Sequence, residues 1–379
     1  MATSQRAPEQ RLSISVSGVL IVFAAISVAI IAWQLRGLLL LVMISVVLAC
    51  SIAPIVNWAE RFRVPRWMSA LFTYLMIIGT LVGLVLLIGP TVLDQIQLLI
   101  RQLPLLLRKA VSQTEAWALA LNDNRPDFTS KVFDQLDVQA IATWAIRSTR
   151  EVALRSVNFT TDILGTLLSL VLAIFISGYM LADSETLTAN FVRLLPAPWD
   201  IRVRAQLPEI GYRIGSYIRG RLIVSTTLGI ATGIGLSFLG LKDFATGLGA
   251  IAAVTNLIPF LGPILGAIPA LIVAIPQGGW LVLWVILFYV IIQNIETYLL
   301  DPLLVGSSVG VHPLYQLLAV LGGTQVLGII GALIVPPWVA GCAVLIEKLY
   351  LQPKLQEEHL ADMRQSPKAI ASVPLNQTQ

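Results

Sequence analysis

The apolar run from about Phe244 to Ile275 is broken between Asn256 and Ala270 by Pro259, Pro263 and Pro269 and by Gly262 and Gly266. Proline removes a backbone donor and clashes with the preceding turn of a helix. In lipid a freed backbone group finds no water, so interrupted helices persist only where protein buries them or where they line a wet cavity. Broken helices near the bilayer midplane are where secondary transporters build their substrate sites. This stretch therefore points to transport.

The rest of the chain agrees on the environment. Of 379 residues 56% are hydrophobic and only 12% charged, against about a quarter charged in soluble domains. Several apolar stretches exceed the roughly 18 residues that mark a membrane-spanning candidate. The fold class read from this pattern is all-α, a polytopic bundle of about eight spans with broken or re-entrant helices in the C-terminal half. The arginines lie mostly between apolar runs, which fits loop orientation and not nucleic-acid binding. Cys50 and Cys342 fall inside apolar runs and form no disulfide framework or CxxC motif. No cluster with metal-ligand spacing, P-loop or nucleophile motif is present, so neither cofactor nor metal is expected, and neither an enzyme nor an ATP-driven pump.

Spans are expected at roughly 14–33, 37–56, 67–88, 161–182, 222–239 and 280–299, with the broken regions 244–276 and 314–346 supplying the remainder. Arg36 alone separates the first two, which reads as a tight hairpin. The first is taken as an uncleaved span and not a signal peptide. Four regions follow: a membrane scaffold over 1–90, an amphipathic helical insertion over 91–160, a transport core over 161–350 and a polar tail over 351–379. In the insertion Val92, Ile96, Leu99, Leu103 and Leu106 recur at helical spacing, placing it on the membrane surface or between subunits, and a second helix is expected over 136–156. An apolar stripe near Ile210, Ile214 and Ile218, with Pro208 at its start, reads as an in-plane helix feeding the span at 222. Arginine-rich loops near 61–66 and 193–221 place both termini on the cytoplasmic side.

Candidate pathway residues cluster in two places. Asn256, Pro259, Gly262, Pro263 and Gly266 form the first break. On the span at 280–299, Gln293, Asn294, Thr297 and Asp301 fall within a ~100° arc of a helix, with Glu296 about 60° outside it. Polar residues in a membrane helix usually face the bundle interior or a cavity. Glu296 is either a proton or cation ligand or the partner of an arginine from another element. Asp301 precedes a proline and can cap a turn. Gln325, beside Thr324, has the same potential as Asn256 in the second broken region. Gly211/Gly215, Gly229/Gly233 and Gly262/Gly266 are GxxxG pairs that allow close helix approach, read first as packing within the molecule.

Three motifs carry a family resemblance. Ile258-Pro-Phe-Leu-Gly-Pro263 is followed by Gly266, Ile268 and Pro269. Gln293 and Asn294 precede Asp301, Pro302, Gly306, Gly310, His312 and Pro313. Gly328 and Gly331 precede Pro336. Over almost its whole length the chain resembles the AI-2E family of bacterial transporters, also called PerM-type permeases. One departure is Asp301, where the family more often has glutamate. The resemblance implies a homo-oligomeric secondary transporter of the bacterial inner membrane that works without ATP. It implies export of a small polar solute of the autoinducer-2 type, a role in quorum sensing, or sodium/proton antiport. Pro302, Gly306, His312 and Pro313 are expected to be structural. A non-transport membrane scaffold is the remaining reading, and the costly helix breaks argue against it.

Overall fold

The computed structural model of the protein describes residues 16–122, 159–278, 280–306 and 310–365. The helix expected over 136–156 lies outside these residues. What is described is all-helical: α1 (Val16–Gln34), α2 (Arg36–Glu60), α3 (Arg66–Asn122), α4 (Phe159–Ala182), α5 (Ser184–Arg193), α6 (Trp199–Phe238), α7 (Lys242–Thr255), α8 (Gly262–Ala274), α9 (Trp280–Ile295), α10 (Pro313–Leu345) and α11 (Gln352–Gln365). Among the described residues five helical stretches are long and apolar enough to cross a membrane, six if the pair Leu168–Ala182 and Ser184–Arg193, bent by 84°, is counted as one span. The protein is a multi-pass membrane bundle.

Three expected boundaries shift. First, α1 does not fold back on α2. A helical hairpin needs a connector of two to five residues, and only Leu35 is available. Its N–H bonds to the Ile31 carbonyl and its carbonyl accepts from Leu39, so the helical ladder runs on. Second, the span expected to stop at Gly89-Pro90 continues through Pro90 and Pro104 to Asn122. Its apolar stripe turns inward: Leu99 and Leu106 join a core with Leu236, Phe244, Leu248 and Val273. One face of residues 91–106 thus packs on the bundle, while Leu93, Ile100 and Leu105 on the other are exposed. Third, the in-plane helix near 210 and the span after it are one 40-residue helix, α6, with Pro208 inside it.

Both broken regions are helical hairpins. The C-terminal end of α7 and the start of α8 lie against each other, so that a Cβ on Gly266 would sit 3.4 Å from the Ala252 Cα and 3.3 Å from Thr255 Oγ1. The connecting turn holds Phe260 at φ 65°. In α10 the chain reverses at Gly328, with φ 68° and ψ −154°, a conformation open in practice only to glycine. Gly323 and Gly331 then face each other so closely that a Cβ on either would strike the other's carbonyl. On one straight helix these two would stand ~12 Å apart. The arms 242–255 and 313–327 are each about 21–22 Å long at ~1.5 Å per residue, short of a ~30 Å hydrocarbon core.

Glycines also set the packing between elements. A Cβ on Gly249 of α7 would lie 2.7 Å from the Gly229 carbonyl and 3.0 Å from the Gly233 Cα of α6. Gly211 and Gly215 bring α6 onto α2 at Cys50. Without a hydrophobic drive between helices in lipid, close backbone approach maximises van der Waals contact. Elsewhere Gln95 Oε1 of α3 accepts from the Gly247 N–H of α7 at 2.7 Å, which anchors the first hairpin to the scaffold. Tyr74 and Ser177 share a buried hydrogen bond between α3 and α4.

Candidate functional site

The site assembles around Arg221 of α6. Gly220, beside it, lets the Leu304 carbonyl approach where a Cβ would collide, so the segment after α9 can lie against α6. That segment leaves α-geometry. Residues Glu296–Leu300 and Pro302–Gly306 form π-turns. Pro302 cannot donate to the carbonyl four residues back and its ring crowds it. Widening to i→i+5 bonding absorbs the misfit, and such π-bulges recur at functional sites. In a regular helix Glu296 and Asp301 would point about 140° apart; in the widened turn both reach one arginine.

Arg221 Nη1 lies 3.0 Å from Glu296 Oε1 and 3.3 Å from Asp301 Oδ1. Its Nη2 donates to Asn256 Oδ1 at 3.3 Å. Arg221 and Glu296 are 2% and 4% exposed at the side chain, whereas Asp301 is 39% exposed. One cation therefore meets two carboxylates, one sealed and one open. Three elements converge here: α6, the turn of the first hairpin and the π-segment. Beside them lies a cavity of about 20 Å³ lined by Asn256, Gly262, Pro263, Gly266, Gln293 and Glu296. That is room for about one water. Gln293 Oε1, Arg221 Nε and Asn256 Nδ2 are buried without hydrogen-bond partners among the described residues.

The structure brings Asn256, Gly262, Pro263, Gly266, Gln293 and Glu296 together, with Asp301 at the rim. Pro259 is buried in the adjoining turn. Asn294 and Thr297, placed with Gln293 by helical spacing, are exposed instead: Asn294 Nδ2 donates to its own helix at Val290 O, and Gln293 Nε2 donates to Thr297 Oγ1. Gln325 is exposed near the Gly328 reversal and does not line the cavity. His312 caps α10, its Nδ1 accepting from the Leu314 N–H at 3.2 Å, and Pro313 takes the first helical position. Pro302 and Gly306 bound the second π-turn.

Arg221 itself enters the sequence reading only among the loop arginines that end at 221 and is given no place in the site. It stands two residues from Arg219 and next to an apolar run, where it counts as a loop charge. Two positions apart on a helix, however, are roughly 200° apart, so the two arginines serve opposite faces. An arginine directly against the apolar run that starts at Leu222 was the available signal.

Comparison with known proteins bears on this arrangement. The model of a family described as AI-2E family transporter matches residues 20–351. The Bacillus subtilis protein named "Putative transport protein YrrI" is 30% identical over 311 residues, which cover 80% of this chain and 84% of that protein. YueF of the same organism, similarly named, is 28% identical over 288 residues, 75% of this chain and 76% of its own length. A Synechocystis relative named as a transport protein is 26% identical over 343 residues, 86% of this chain and 82% of that one.

Proposed function

Since this chain belongs to the AI-2E family of transporters, we propose that it is a secondary exporter of a small polar solute of the autoinducer-2 type in a bacterial inner membrane. The observation that carries this reading is the buried Arg221–Glu296–Asn256 cluster at the turn of a helical hairpin. Polar groups this deep in a membrane bundle are costly and mark pathways. The amide N–H groups of Asn256 and Gln293 and the amide and carboxylate oxygens beside the cavity offer donors and acceptors, respectively, to a hydroxyl- or carbonyl-bearing solute. A cavity of about 20 Å³ holds no such solute, so passage requires the α7–α8 hairpin to leave the face of α9. Small-residue contacts with α6 and the bond to Gln95 hold the α7 arm of that hairpin to the scaffold of α3 and α6, which leaves its turn and the α8 arm as the moving part. This is alternating access around a fixed site.

One observation favours sodium/proton antiport as the second reading. Two carboxylates around one guanidinium leave a negative charge over, which a proton or a sodium ion could neutralise. Reconstituted vesicles loaded with autoinducer-2, with and without imposed proton and sodium gradients, separate the two. The exporter reading requires protein-dependent solute efflux that Gly262→Leu abolishes while leaving insertion intact. Ion movement without solute, lost in Glu296→Gln, would replace it with antiport.

A further inference from the structure

A crevice of about 610 Å³ lies away from the Arg221 cluster, between α2, α4, α5 and α6. Asn57, Arg66, Thr188, Arg204, Tyr212 and Arg219 line its polar side. Ala53, Pro54, Leu181 and Pro208 form its apolar side. The charges in it do not balance. Arg66 is paired with Glu60 at 3.2 Å and its Nε donates to the Leu181 carbonyl. Arg219 is only partly exposed and has no carboxylate partner among the described residues; its Nη1 donates to the carbonyls of Cys50 and Ser51 at 3.2 and 3.0 Å. The Cys50 carbonyl is available because Pro54, four residues on, has no N–H to give it. Arg204 is exposed and likewise makes no ion pair among the described residues. Against these two stands one lining acid, Glu185.

A guanidinium kept partly out of water without a counter-charge is costly, and Arg219 is fixed in place by two backbone carbonyls. We propose that this crevice binds an anionic phosphate group carried on an organic body, with Arg219 and Arg204 as its charge partners and the Tyr212 hydroxyl as a further donor. Planar guanidinium donors match phosphate oxygens bidentately. The volume exceeds what phosphate alone needs and falls within the range of small-molecule sites. Its apolar wall suits the organic part. The same chemistry is offered by a phospholipid headgroup and by a soluble phosphate ester.

The test is a thermal-unfolding titration of the full-length protein in neutral detergent at fixed ionic strength. The probes are dihexanoyl-phosphatidylglycerol, dihexanoyl-phosphatidylcholine, glycerol phosphate and inorganic phosphate. Saturable stabilisation by phosphatidylglycerol alone supports the site with a lipid as its source; stabilisation by glycerol phosphate as well supports it with a soluble ester. Arg204→Gln, at an exposed residue without side-chain bonds among the described residues, and Arg219→Gln should each weaken binding by roughly fivefold, from ~1 kcal/mol per basic residue near an anionic surface. Arg219→Lys should recover part of the loss. Arg202→Gln is the control, since Arg202 stacks on Trp199 outside the crevice. Three results overturn the proposal: no phosphate-dependent stabilisation, equal stabilisation by phosphatidylcholine, or equal weakening by Arg202→Gln.

Discussion

Replacing Arg221 by methionine removes the partner of a carboxylate that is only 4% exposed. Breaking a buried ion pair from one side costs about 3–5 kcal/mol, because the remaining charge has neither water nor partner. Asp301, 39% exposed, keeps its solvent, and its share is ~0–1 kcal/mol. Asn256 Oδ1 also loses its donor, a further ~1 kcal/mol. The expected total is thus dominated by Glu296. Adding Glu296→Gln removes the stranded charge, so Arg221→Met/Glu296→Gln should recover most of the loss. Equilibrium unfolding in detergent micelles, followed by tryptophan fluorescence, measures both variants. If Arg221→Met is neutral, or if the double variant is no more stable than the single one, Glu296 is not held by Arg221 and the electrostatic account of the cluster is wrong.

Two further outcomes test the framework. Gly323→Ala places a methyl group against the Gly331 carbonyl, whereas a Cβ on the neighbouring Gly322 meets nothing within 4 Å; the first should lose roughly 1–3 kcal/mol by overpacking and the second gain up to about 1 kcal/mol of helix propensity, read in the same unfolding assay. Tyr74→Phe removes the buried bond to Ser177, with an expected loss of about 1–2 kcal/mol that Ser177→Ala in the same molecule does not enlarge additively.

The membrane class, the two interrupted regions and the glycine pairs were legible in the sequence because each depends on residue type alone. Proline and glycine between 256 and 269 forecast a break whatever surrounds them, and Gly211/Gly215 and Gly229/Gly233 pack helices inside the molecule as the spacing indicated. Of the site, Asn256 and Glu296 were visible as polar residues in apolar surroundings. Their partner was not. Arg221 sits where α6 passes from an arginine-bearing half to an apolar half, and composition alone places a loop at that passage. The inward turn of Glu296 was also hidden, because a period of 3.6 does not hold through the π-turns that Pro302 imposes. Pro90 and Pro208 misled in the opposite sense: each lies within a long helix that runs on through it, so the missing donor sets no boundary there.

The central claim is that the α7–α8 hairpin opens the small cavity beside Glu296 during transport. Ala252, which is buried and lines that cavity, reports on it directly. In a variant with Cys50→Ala and Cys342→Ala, a single Ala252→Cys is placed in vesicles and exposed to a small water-soluble thiol reagent while solute and ion flux are recorded. The account predicts slow modification at rest and a many-fold faster rate when a gradient drives flux. Flux at the normal rate with Cys at 252 protected throughout would contradict it, and the path would have to lie elsewhere in the bundle.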